Sequence, residues 1–365
     1  MKTPARWREF LPHNKVSTFL NIILKGYGTT LMCSNRVTGL FVFLAILLIS
    51  PVTCWLTLIG VISATLTAHW IGARSSYIHS GCYSFNGVVL GIAWPCFLQI
   101  NAISIMTLSF ICAGSSVIMK YCLDYSCRTR SNLPVLSIPS VILIWLIYAL
   151  AVALPSGQLL RGPDQSIVEY TQSYQSGVLR LHNKQWTNLT INMYWDTFKI
   201  HFLAVVFIAV GLFRHSRISA GVALAMTVLT AVLVYLLGGM NEFAQIDEYL
   251  YNTVPCGLAL GGAFLVLNRR VWLLILGNLL LIVLIIYMGF HIFHFSVFIA
   301  PFNFFTILSL WLVKKNILKK EDGFYAVPME LIFSPETAEE WRKGEIYAQN
   351  YWKDIETSWS LKPIV

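Results

Sequence analysis

Charge is scarce in this chain. Of its 365 residues only 12% are Asp, Glu, Lys or Arg, while 56% are hydrophobic. Soluble domains carry about 25% charged residues, so a water-exposed globule is excluded. Acidic residues are scarcest, 17 against 26 Lys and Arg, which leaves a net charge of +9. That excess does not imply a nucleic-acid partner. The basic residues sit in short loops and tails, where they set membrane orientation. Metal and redox motifs are also missing. The eight cysteines (33, 54, 82, 96, 112, 122, 127 and 256) are scattered, and no pair has zinc-ligand spacing. Only Cys122 and Cys127 sit close together, and the set reads as small buried hydrophobes. No phosphate loop, nucleophile triad or zinc motif occurs, so neither a cofactor nor an enzymatic activity is expected. The histidines His79, His201, His291 and His294 lack a helical metal-ligand partner with carboxylate support. His291 and His294, one turn apart, read as interfacial. Intramembrane charge, which would hint at ion or proton coupling, has few candidates: Asp196, Glu242, Asp247 and Glu248. Each lies near a predicted helix boundary, so solvated positions are expected.

What the chain does have is long apolar runs, with a mean hydropathy of +0.66. The expected fold class is an all-α polytopic membrane protein. A basic, amphipathic tail (1–16) leads into apolar segment after apolar segment, so no cleaved signal peptide is expected. Predicted spans cover 17–34, 37–49, 55–71, 95–119 and 133–155. Ser50-Pro51 joins the second and third, and Pro134 and Pro139 end or kink a helix at membrane depth. Residues 156–181 read as a polar connector, and the formal glycosylation triplet Asn188-Leu189-Thr190 follows it. Further spans are predicted at 200–213, 220–238, 271–290 and 295–313. The tail from Glu321 has soluble composition and a predicted helix at 335–352, with a capping-box pattern at Thr337 and Glu340.

Two segments fit neither loop nor full span. Residues 76–92 open small and polar, pass through Phe85-Asn86-Gly87, and turn apolar. Residues 246–267 are similarly half-polar. Backbone that breaks at membrane depth is tolerated only when buried in protein or facing a wet cavity. The first segment therefore reads as a re-entrant half-helix lining a solute path, or as a short, slightly polar transmembrane helix. Aligning Asn86 with Asn252 places Gly39–Gly72 on Val205–Gly238 without a gap, Phe85 on Tyr251 and Gly91 on Gly257. Such internal repeats with discontinuous helices are a transporter architecture. Ten spans put the N-terminal tail, 120–130, Arg269-Arg270 and the Lys314–Lys320 cluster on one side, as the positive-inside rule favours. Ten requires a polar hidden span at 182–198. The expected organisation is two inverted five-helix repeats (1–155 and 182–320), each with a re-entrant half-helix, around a central pore, then the tail at 321–365. Both termini would be cytoplasmic.

The blocks Asn35-Arg36-Val37-Thr38-Gly39-Leu40-Phe41, Ile62-Ser63-Ala64-Thr65-Leu66-Thr67-Ala68, Gly81-Cys82-Tyr83-Ser84-Phe85-Asn86-Gly87-Val88-Val89-Leu90-Gly91 and Leu133-Pro134-Val135-Leu136-Ser137-Ile138-Pro139 resemble the urea transporter family, in its bacterial type. The likeness is close over the first 155 residues and weaker to about 315. The resemblance implies ten spans plus two half-helices, a homotrimer with one pore per subunit in a bacterial inner membrane, and passive urea conduction. It also implies flat slots between paired aromatic side chains. Phe85 resembles one wall and Tyr251 its counterpart, with Met32 and Phe198 as partner walls. Ser137 resembles a constriction hydroxyl, and its second-half counterpart is Ile299. Thr29 stands where the family has glutamine, and Asn86 and Asn252 complete the set expected to bind substrate. Ordinary helix packing remains open for Phe85 and Tyr251, and helix–helix hydrogen bonding for Ser137. The competing functions are a same-fold channel for a short amide or ammonia, and a non-conducting membrane scaffold.

Overall fold

The computed structural model describes residues 15–98, 100–128, 133–153, 202–243, 246–293, 298–315 and 317. The connector, the glycosylation triplet, the hidden span at 182–198 and the C-terminal tail lie outside them. The elements they form are helices, joined by short turns, and they fall into two compact units.

The first unit comprises described residues within 1–30, 35–121 and 137–211. Its helices are α1 (Lys15–Thr29), α2 (Arg36–Ile49), α3 (Pro51–Trp70), α4 (Ser75–His79) and α5 (Ser84–Phe97), with most of α6 (Ala102–Arg128), then α7 (Ile138–Ala153) and most of α8 (Phe202–His215). Ser50 ends α2 and caps α3, its Oγ accepting from the Thr53 amide at 3.2 Å, with Pro51 in the first turn. Proline suits that position because its missing N–H would have no helical partner there. The predicted start of the third span at residue 55 therefore moves back to Pro51.

Close backbone approach organises this unit. The buried stripe of α3 runs through Cys54, Thr57, Gly60, Val61, Ala64, Thr65 and Ala68. Small residues let α5 come against it, as in membrane helix pairs generally. A Cβ on Gly87 would lie 2.4 Å from the Gly60 carbonyl oxygen, and one on Gly91 2.6 Å from the Thr57 Cα. Elsewhere, a Cβ on Gly39 would fall 1.7 Å from the Leu24 carbonyl oxygen. One residue earlier, Thr38 ties α2 to α8 by donating to the Gly211 carbonyl at 2.9 Å.

Residues 76–92 are not one rod. Helix α4 stops at His79, the chain turns with Gly81 at φ +85°, and α5 starts at Ser84. Pro95 lies inside α5 and not at the head of the next span; the break falls at Leu98, and α6 starts at Ala102. Proline lacks a donor for the carbonyl four residues back, which a helix tolerates near its end. The 14 residues of α5 reach ~21 Å, short of a ~30 Å hydrocarbon core. Every residue from Ser80 to Gly91 is buried, so this helix has no lipid-facing side over that length. Trp94, 1% exposed, donates its indole N–H to Ser104 Oγ on α6 at 2.7 Å. Ser104→Ala would strand that donor and is expected to cost about 1–3 kcal/mol. The check is a lowered melting temperature in detergent that Ser104→Thr does not show.

The second unit comprises described residues within 31–34 and 122–136 and those from 212 onward. Its helices are α9 (Arg217–Phe243), α10 (Ile246–Gly257), α11 (Arg269–Met288) and α12 (Ala300–Lys314), with π-helical turns at Leu258–Phe264 and Gly289–Phe293. Helix α10 carries Pro255 and opens to π geometry from Leu258. All side chains from Cys256 to Val266 are buried. Helix α5 and the π-helical turn at Leu258–Phe264 end alike, at an extended leucine: Leu98 (φ −127°, ψ 142°) and Leu265 (φ −125°, ψ 150°).

One charge departs from expectation. Glu242 is 4% exposed, not solvated. It follows the Gly239 kink of α9 (φ +63°), accepts from Tyr249 Oη at 2.7 Å, and pairs with His291 Nε2. The Tyr287 ring covers His291 at 4.4 Å. Satisfying partners explain why the carboxylate can be buried. Asp247 is exposed and Glu248 half-buried, while Asp196 and His294 lie outside the described residues.

Four described helices are long and apolar enough to cross a membrane: Pro51–Trp70, Ala102–Arg128, Arg217–Gly239 and Arg269–Ile292. Shorter apolar helices accompany them. The chain is an all-α polytopic membrane protein.

Candidate functional site

Each unit carries its own set of the predicted site residues. In the first, Phe85 (5% exposed) and Asn86 (fully buried) occupy the opening turn of α5. Asn86 Oδ1 accepts from Ser140 Oγ on α7, and its Nδ2 donates to the Cys82 carbonyl at 3.5 Å. Thr29, the last residue of α1, is buried; its hydroxyl points to the Lys25 carbonyl at 2.7 Å and the Ser80 carbonyl at 3.1 Å. It thus ties the end of α1 to the turn that precedes α5. Ser84 Oγ is hydrogen-bonded to Thr65 Oγ1 at 2.8 Å, fixing the start of α5 on α3. Ser137 is fully buried just ahead of α7, its carbonyl accepting from the Val141 amide.

In the second unit, Asn252 is fully buried in α10. Its Nδ2 donates to the Phe298 carbonyl at 2.7 Å and the Glu248 carbonyl at 3.0 Å, and its Oδ1 accepts from the Phe302 amide at 3.1 Å. Tyr251 is 40% exposed, whereas Phe85 is not. Ile299 is buried and precedes α12 with no side-chain cap. Met32 is buried and belongs to this unit. Phe198 lies outside the described residues.

Backbone strain marks the same places. The described non-glycine residues with positive φ are Met32 (57°), Leu136 (51°) and Phe298 (48°). Leu136 immediately precedes Ser137, and Phe298 immediately precedes Ile299. Bulky residues in that region cost about 1–3 kcal/mol each and collect at functional sites. One step in register carries Leu136 to Phe298, Ser137 to Ile299, Pro139 to Pro301 and Ser140 to Phe302. A left-handed residue, then a residue, then X-Pro at a helix start is thus written twice.

Sequence reasoning missed Ser140, the Ser84–Thr65 pair and the Glu242–Tyr249–His291 cluster. Only Ser140 left a legible signal, directly after the Leu-Pro-Val-Leu-Ser-Ile-Pro block. The others depend on contacts between helices distant in sequence. Among the described residues, no group of three or more His, Cys, Asp or Glu could hold a metal ion.

Comparison with known proteins places these features in context. The family model described as "Urea transporter" matches residues 20–314. Urea transporter 1 of Ovis aries is 20% identical over an alignment of 372 residues covering 92% of this chain and 86% of the relative. The same protein of Capra hircus gives the same figures. Urea transporter 1 of Mus musculus is 26% identical over 150 residues, 38% of this chain and 36% of its own. With the family model spanning both strained helix entries and both half-polar segments, the chain belongs to the urea transporter family.

Proposed function

We propose that this protein conducts urea passively across the membrane through a narrow, aromatic-lined path. The observation that carries the reading is the placement of the strained residues: Met32, and the residues directly ahead of Ser137 and Ile299. Family membership and the fully buried run from Ser80 to Gly91 support it. In this reading Phe85, Thr29 and Ser137 are the solute-facing set of the first unit, and Met32, Tyr251 and Ile299 are that of the second, to which Phe198 is assigned by the sequence.

Urea is planar, neutral and small, with four N–H donors and one carbonyl. Stripping its water costs several kcal/mol unless hydrogen bonds replace it. Carbonyls at interrupted helix ends accept from its N–H groups. Flat apolar walls exclude bulkier solutes. An ion finds too little compensation there and is rejected. No gate and no energy source is required. The two inverted repeats, the homotrimer with one pore per subunit, lipid as the surrounding partner, the bacterial inner membrane and cytoplasmic termini belong to the same proposal. Met32 in place of an aromatic and Ile299 in place of a hydroxyl favour one second reading, a channel for a short amide or ammonia.

Stopped-flow shrinkage of proteoliposomes under a urea gradient tests this. Passive urea flux is expected. Phe85→Ala is expected to cut it about tenfold, equivalent to about 1.4 kcal/mol on the barrier, and to relax the exclusion of larger amides. Amide flux without urea flux would select the second reading. No flux of any solute would leave a membrane scaffold.

A further inference from the structure

We infer that Asn86 and Asn252 are positioning residues that anchor the entries of α7 and α12, and that neither acts as a ligand for the solute. The inference rests on the conduction reading above. Helix α7 starts at Ile138 and α12 at Ala300. Ser140 and Phe302 are therefore each the third residue of their helix. The amides of a helix's first turn have no partner within the helix. Ile299, at the cap of α12, offers no side-chain oxygen to satisfy them. Asn252 supplies one from another helix: its Oδ1 takes the Phe302 amide, while its Nδ2 holds the Phe298 carbonyl. One side chain thereby clamps both sides of the residues that join left-handed Phe298 to the helix. In the first unit Asn86 engages the equivalent position, but through the Ser140 hydroxyl, which donates to Asn86 Oδ1 and lies 3.4 Å from the Asn86 carbonyl.

Both asparagines are fully buried, and their amide groups are committed to protein partners. A left-handed Leu or Phe persists only where its surroundings over-determine it. The asparagine anchors supply that constraint. They fix the residue between the strained position and the helix, which is Ser137 in one unit and Ile299 in the other. Asn86 and Asn252 thus set where those side chains and the neighbouring carbonyls point, and through them the discrimination among small amides.

The test uses Ser140→Ala, Ser140→Thr and Asn252→Leu in the full chain, in proteoliposomes and in detergent. The readouts are the ratio of urea to N-methylurea flux and amide hydrogen exchange over residues 298–305. Ser140→Ala is expected to change the flux ratio severalfold, and Ser140→Thr, which keeps the hydroxyl, to restore it. Asn252→Leu is expected to speed exchange of the Phe302 amide severalfold. A parent that conducts urea while Ser140→Ala leaves the ratio unchanged would overturn the inference, as would unchanged exchange at Phe302. A parent that conducts nothing would overturn the conduction reading instead, and the exchange result would still decide whether the Asn252 anchor exists. Should Asn252→Leu fail to fold, the Ser140 pair decides alone.

Discussion

Gly87→Leu is expected to abolish folding of the first unit. The reason is backbone contact. A Cβ at Gly87 would sit 2.4 Å from the Gly60 oxygen, 2.5 Å from its carbonyl carbon and 2.7 Å from the Val61 nitrogen. Those atoms belong to the main chain of α3, so no rotamer change can relieve the clash. Overpacking a core with flexible neighbours costs about 1–3 kcal/mol. Gly87→Ala already meets or exceeds that range, because α5 must move bodily off α3. Leucine adds three more carbons in the same direction. Gly114 on α6 is the control, since nothing lies within 4 Å of its added Cβ. Gly114→Ala is expected to be neutral or slightly stabilising through helix propensity. Yield of monodisperse protein and its melting temperature in detergent are the measurements. A Gly87→Leu protein that melts with the parent would show that the two helices do not touch backbone to backbone.

The second large effect concerns Glu242. Tyr249→Phe combined with His291→Leu removes both side-chain donors to a carboxylate that is 4% exposed. An uncompensated buried charge costs about 3–5 kcal/mol. The double variant should therefore melt far below the parent. Adding Glu242→Met removes the charge at similar volume and should recover most of the loss, since replacing all members of a buried polar group by apolar ones is often near neutral. If the double and triple variants melt alike, Glu242 is reached by water and the cluster carries little. The geometry explains why the effect should be large. Gly238 leaves room for the Glu242 side chain: a Cβ there would fall 2.1 Å from Glu242 Cγ. The chain also kinks at Gly239, which aims the carboxylate inward.

The internal repeat was legible because it is written in identical or related residues: Asn86 with Asn252, Phe85 with Tyr251, Gly91 with Gly257. How each unit packs was not. In the first unit Gly91 meets the Thr57 backbone. In the second, a Cβ on Gly257 would meet the Met226 side chain at 2.4 Å from its Cγ. The repeat places Met226 opposite Gly60 and Thr253 opposite Gly87, so backbone contact gives way to a filling side chain and a Thr230–Thr253 hydrogen bond at 2.8 Å. Alignment shows that such positions correspond; it does not show what fills the gap. The same limit explains Glu242. Near a helix boundary a carboxylate is ordinarily wet, and only the approach of Tyr249 and His291 buries it. The site residues divide similarly. Asn86 and Asn252 stood out by their repetition, but their partners Ser140 and Phe302 lie far along the chain, and the left-handed residues at 136 and 298 have no glycine to betray them.

The sequence by itself determined the class of protein, its apolar membrane-spanning helices and the family likeness. Hydropathy and residue spacing are properties of the chain and need no partner to be read. Only the tertiary structure decided which polar groups are satisfied and by whom. A buried amide or carboxylate is stable or ruinous according to the atom opposite it, and that atom is supplied by a helix the local sequence does not contain.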